Sequence, residues 1–205
     1  MLIFLRHKLA FLATPKTGTT AVEMALKSRA EIVFSKSRKH ITALRYANKI
    51  APFLEDTFDV RPASVAVMRD PVDQIRSWYK YRSQKRLDGT ELSTKGISFD
   101  QFVREVISED APARAQIGRQ FNFLTDGRDR VMANHIFAYE QQEAFLMFMS
   151  EHLRHPVELA AKNISPRIDA PLDDETLTLL KQARAEDFIL YDAVMAAGGH
   201  LHTAV

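Results

Sequence analysis

Two short apolar runs, each ending in a polar loop that opens a helix, constrain this chain more than any other feature. The first, Leu9 to Thr14, is stopped by Pro15, and its unbroken apolarity fits a strand buried on both faces. The loop Pro15-Lys16-Thr17-Gly18-Thr19-Thr20 follows. Ala21 to Lys27 then reads as a helix, with Thr20 and Glu23 spaced as a capping box. The second run, Ala63 to Met68, meets Arg69-Asp70-Pro71, where Asp70 suits an N-cap and Pro71 the first helical position. That helix is predicted to reach Ser83, with Ile75, Trp78, Tyr79 and Arg82 on one face. A third strand, His135 to Tyr139, precedes a helix from Gln141 to Leu153 in which Phe145, Met147, Phe148 and Met149 read as core packing. Helices are also predicted from Lys39 to Leu54 and from Asp173 to Ala197, the latter closed by Gly198-Gly199.

Strands alternating with helices predict an α/β fold: one three-layer domain over residues 1–205, with a mostly parallel central sheet. A chain of 205 residues buries a sizeable core unaided, and the absence of cysteine excludes disulfides and thiolate metal sites. A net charge of +2 is too small for general nucleic-acid binding, so any anion must be bound locally. The bases are nonetheless grouped: seven lie between Lys27 and Lys49 against one acid, and five between Arg76 and Arg86. Either group alone reads more simply as a solvated helix face, but both fall near the two strand-to-helix loops. The apolar start, Met1 to Leu5, is interrupted by Arg6-His7-Lys8 and is too short for a signal core or a membrane span. The expectation is a cytoplasmic protein without membrane insertion.

The first loop has the makings of a phosphate cradle. Gly18 allows close backbone approach, the amides entering the helix face the ligand, and the helix dipole favours negative charge. Lys16 adds a point charge and the threonine hydroxyls add donors. This is a P-loop-like strand-loop-helix arrangement, but not the nucleoside triphosphatase pattern. One glycine is missing, the lysine precedes the remaining one, and no Lys-Ser/Thr pair offers a Mg²⁺ seat.

Pro15-Lys16-Thr17-Gly18-Thr19-Thr20 resembles instead the 5′-phosphosulfate loop of sulfotransferases that use 3′-phosphoadenosine 5′-phosphosulfate (PAPS). That family also carries an arginine at a strand end and a serine eight residues on, both on the 3′-phosphate; Arg69 and Ser77 stand at that spacing here. Lys39-His40-Ile41-Thr42-Ala43 and the segment from Asn163 to Arg167 are similar to parts of the carbohydrate-type branch, including its bacterial members. The G-x-x-G-x-x-K segment of the small-molecule branch is absent, which leaves the third 3′-phosphate contact open, with Arg167 the candidate. The resemblance implies binding of PAPS and its product adenosine 3′,5′-bisphosphate, no metal, and an acceptor that is a small molecule or glycan.

Sulfuryl transfer relies on positioning and electrostatics. Lys16 is the candidate for the leaving oxygen and His40 for the general base, with Glu23 the alternative carboxylate; His40 reads equally as a capping or packing residue. The charged neighbours of His40 are expected to depress its pKa. Trp78 suits either adenine stacking or the core. Two other readings stay open: an atypical nucleoside triphosphate-dependent kinase, and a non-enzymatic nucleotide-binding protein. Motifs for metalloproteases, glycosidases and serine hydrolases do not occur.

Overall fold

The computed structural model describes residues 1–128, 130–160 and 169–205. Its centre is a single six-stranded sheet of β1 (Leu2–Phe4), β2 (Leu9–Leu12), β3 (Ile32–Val33), β4 (Ala63–Met68), β5 (His135–Ala138) and β6 (His200–His202), in the order β3-β1-β2-β4-β5-β6. The α/β class holds, but the sheet is mixed rather than mostly parallel. Only β2–β4 and β4–β5 pair in parallel, while β1 runs antiparallel to β2 and β3, and β6 antiparallel to β5.

The reason lies at both sheet margins. Within the apolar start, Leu2–Phe4 forms a fully buried strand not assigned from the sequence. It turns back into β2 through Leu5–His7, with Lys8 taking the left-handed conformation (φ 52) that a glycine would have signalled. β6 is a three-residue His-Leu-His strand after Gly198-Gly199, too short and too polar to show an alternating pattern.

Alternation along the strands sorts side chains into two cores. Ile3, Ala10, Leu12, Ala66, Met68 and Ile136 face one layer. It is built from α2 (Ala43–Arg45) continuing through a π-turn into α3 (Ala51–Phe58), together with α6 (Gln120–Leu124) and α9 (Ala185–Ala196). Leu2, Phe4, Leu9, Phe11, Val65, Val67 and Phe137 face the other layer, where α1 (Thr19–Leu26) and α7 (Gln142–Leu153) pack. Phe145 and Met149 lie in that core, but Met147 points outward at 72 % exposure. A third core joins α4 (Pro71–Arg82), α5 (Phe99–Val106) and α8 (Asp174–Ala183) around Tyr79, Phe99 and Phe102. The predicted single helix after Asp173 is two, broken at Arg184, whose backbone (φ −127, ψ 34) leaves the helical region and ends α8. Among the described residues no helix is long and apolar enough to cross a membrane.

The β5–β6 edge carries a histidine cluster. His135 Nδ1 lies 3.0 Å from His200 Nε2, and His202 stacks on His135 at 4.6 Å. Burial first, then His202, His200 and His152, push the pKa of His135 down from 6.5 to about 4; burial also lowers His200. Both rings titrate lower in the fold than in the unfolded chain, so below pH 6.5 the unfolded chain binds more protons. Stability is therefore expected to fall as pH drops from 6.5 towards 4, in urea unfolding followed across that range. The variant His135→Phe should flatten the dependence; an unchanged slope would show that the cluster does not control it.

Candidate functional site

The parallel trio β2, β4 and β5 ends at one edge of the sheet, and the predicted loop and Arg69 both emerge there. β2 runs into Ala13-Thr14, and the loop then turns through Lys16 (φ 69) and Gly18 (φ 73), both left-handed, into α1. Gly18 is the helix N-cap and no side chain caps the first turn. The predicted capping box does not form, because the helix starts two residues early, with Gly18 rather than Thr20 at the cap; Glu23 instead pairs with Lys39 at 3.1 Å. Thr17 is buried and donates its hydroxyl to the Thr14 carbonyl, while Thr20 stays exposed at the helix start.

Arg69 follows β4 directly. Its backbone is clamped on both sides by Gln120 of α6, which accepts from Arg69 N at 2.9 Å and donates to Arg69 O at 2.8 Å. α6 is in turn held by the buried carboxylate of Asp187, which accepts from Phe121 N at 2.9 Å and from Arg119 Nε at 2.8 Å. Asp70 caps α4 through Asp73 N, as its position predicted, and Glu140 accepts from Asp70 N. The Arg69 guanidinium lies 4.6 Å from the ring of Tyr139, at the end of β5. That same ring packs on Gly18, where an added Cβ would approach Tyr139 Cε2 to 3.1 Å.

α4 presents a stripe to the loop. Gln74 Nε2 reaches the Pro15 carbonyl at 3.4 Å, and Trp78 and Tyr81 lie beside the Lys16 ammonium, 5.4 and 4.2 Å from it. Ser77 falls within this i, i+3, i+4, i+7 series on α4 and is buried. The predicted face does meet the third core, Ile75 and Tyr79 inside it and Trp78 packed against it, with Arg82 donating to the carbonyls of Ala113 and Gln116; Trp78 also borders the loop at Lys16.

His40 sits outside any helix, two residues before the Thr42 N-cap of α2. Its Nδ1 is 2.6 Å from the Ala13 carbonyl, at the root of the loop. A carbonyl only accepts, so Nδ1 carries the proton and Nε2 is the basic nitrogen. The pKa of His40 is lowered, as expected, but the cause differs: burial dominates, the Ala13 carbonyl opposes it, and Lys39 is a lesser contribution. Glu23, the alternative base, is engaged by Lys39. Arg167 and the rest of the Asn163–Arg167 segment lie outside the described residues.

The electrostatics of this edge are lopsided. Lys16, Arg69 and Arg86 make no ion pair with a carboxylate among the described residues. Burial, then Arg69 and Arg86, push the Lys16 pKa down to about 8. Among the described residues, four buried side-chain polar atoms lack a hydrogen-bond partner, and three of them (Thr14 Oγ1, Arg69 Nε and Trp78 Nε1) belong to this region. Buried polar groups are normally paired, so orphans gathered at one place single out this edge as the candidate site. A larger hollow lies at the opposite strand ends, but its polar groups are already satisfied, Tyr46 by the Pro62 carbonyl and Ser64 by Asn134. No cluster of three or more His, Asp or Glu side chains among the described residues is arranged to hold a metal ion.

Sequence reasoning missed Gln74, Tyr81, Gln120, Tyr139 and Glu140. Tyr139 alone had a usable signal, since ligands of open α/β sheets sit at the carboxyl ends of parallel strands. The others act through spatial neighbours far away in sequence. The sequence matches no protein-family model, and no curated protein matches it.

The Gly18–Tyr139 contact yields a paired test. Gly18→Ala is expected to cost about 1–2 kcal/mol from its left-handed backbone, and more because Tyr139 must give way. Gly96→Ala, with φ +87 and open space around the Cβ, should show the backbone cost alone. Equal shifts in urea midpoint would show that the Tyr139 contact is slack.

Proposed function

We propose that this chain is a PAPS-dependent sulfotransferase, moving a sulfuryl group to a hydroxyl or amine of a carbohydrate-like acceptor, with a cytoplasmic location. The observation that carries the reading is the group of cations without counter-carboxylates, Lys16 at the P-loop-like turn and Arg69 on the neighbouring strand, beside three orphaned polar atoms. Cations on two neighbouring strand-end loops suit a nucleoside bearing anions at both its 5′ and 3′ ends. A triphosphate chain would instead need the Lys-Ser/Thr seat for Mg²⁺, which the loop lacks.

In this reading the amides of residues 17–20 and the Thr19 and Thr20 hydroxyls receive the 5′ end, while Arg69 and Ser77 receive the 3′-phosphate. Pro15 shapes the entry of the turn, and Arg167 stays a candidate for the third contact. The bound cofactor supplies the sulfuryl group as a mixed anhydride. Lys16 would stabilise the negative charge that develops on the phosphate leaving group when the sulfuryl group passes to the acceptor oxygen. His40 Nε2 takes the acceptor proton, with the Ala13 carbonyl fixing the tautomer. The depressed pKa keeps the ring neutral and receptive near pH 7.

Calorimetry with adenosine 3′,5′-bisphosphate and with Mg²⁺-ATP tests the assignment. The bisphosphate is expected to bind, and Arg69→Ala to weaken it by about 1.5–3 kcal/mol. Tighter binding of Mg²⁺-ATP would favour the kinase, and bisphosphate binding without transfer from PAPS to any acceptor would favour the non-enzymatic nucleotide binder. His40→Ala is expected to lose about 10²–10⁴ in turnover while binding the bisphosphate normally. Near-native turnover would remove His40 from the mechanism.

A further inference from the structure

We propose that Trp78 and Tyr81 are positioning residues, their rings together forming a seat that fixes the Lys16 ammonium beside the loop without neutralising it. The two side chains stand three residues apart on α4 and meet edge to face, with centroids 5.9 Å apart and planes at 88°. Lys16 Nζ lies 4.2 Å from the Tyr81 ring and 5.4 Å from Trp78. Arg86 uses the same Tyr81 ring at 4.6 Å, and Arg82 the Trp78 ring at 5.3 Å. A carboxylate in that place would compete with any incoming anion for the ammonium. An aromatic face holds the cation through its quadrupole and leaves the full charge available. The charged groups acting on Lys16 from adjoining elements are Arg69, at the end of β4, and Arg86, after α4; both repel it, so the rings are its attractive contacts.

The test is the titration of the Lys16 amine in unliganded protein, read from the pH dependence of its acylation, in an Arg86→Gln background that removes the shared guanidinium. Tyr81→Leu keeps the burial and deletes the ring, so the midpoint should fall by roughly half to one pH unit. Trp78→Leu should move it the same way, and Tyr81→Phe should keep the parent value. If the leucine variants titrate like the parent, or higher, the seat is overturned. Only a second measurement rests on the sulfotransferase reading: Tyr81→Leu should lower kcat while leaving bisphosphate affinity within about twofold of the parent. A shifted titration with no turnover on any acceptor in the parent protein would support the seat and overturn that reading. A normal titration with kcat lost would overturn the seat alone.

Discussion

The in-register parallel pairing of β2, β4 and β5 is the constraint from which the rest follows. Leu12 pairs with Ala66 and Met68 with Ala138, so all three strands finish at one edge and release Thr14, Arg69 and Tyr139 side by side. Because the trio is covered on both faces, its strands can be almost wholly apolar, and the polar chemistry is displaced to their ends. The antiparallel strands at either side close the margins and leave that edge undisturbed.

Gathering Lys16, Arg69 and Arg86 without carboxylates is unfavourable in the ligand-free protein, and the fold counters it by fixing backbones rather than by pairing charges. Gln120 clamps Arg69 through both backbone groups, Asp187 holds the helix carrying Gln120, and Glu140 ties the Asp70 turn to Tyr191 of α9. Aromatic faces take the place of counter-ions at Lys16 and Arg69. On the proposed function, an arriving anion would relieve mutual repulsion instead of displacing a built-in partner.

Local chemistry was readable from sequence; spatial chemistry was not. β4 begins and ends where its apolar run does, and Asp70-Pro71 opens α4 as its residue types require. The mixed character of the sheet was hidden because β1 has no glycine at its turn and β6 is three residues long. The histidine base candidate was picked out by a short motif, but the Ala13 carbonyl that sets it at the root of the loop and fixes its tautomer lies 27 residues away. Gln120 carries no pattern at all: its role exists only because α6 is carried to Arg69 by the buried carboxylate of a helix near the far end of the chain.

Lys16 is held in a left-handed backbone conformation that glycine would adopt without strain. At this position thermostability and charge pull in opposite directions: glycine would relax the loop, and only lysine brings the cation. Directed evolution that selects for heat resistance alone would accept that exchange and return a sturdier protein with its ammonium gone. Consensus or stability-guided redesign of this chain should therefore hold residue 16 fixed.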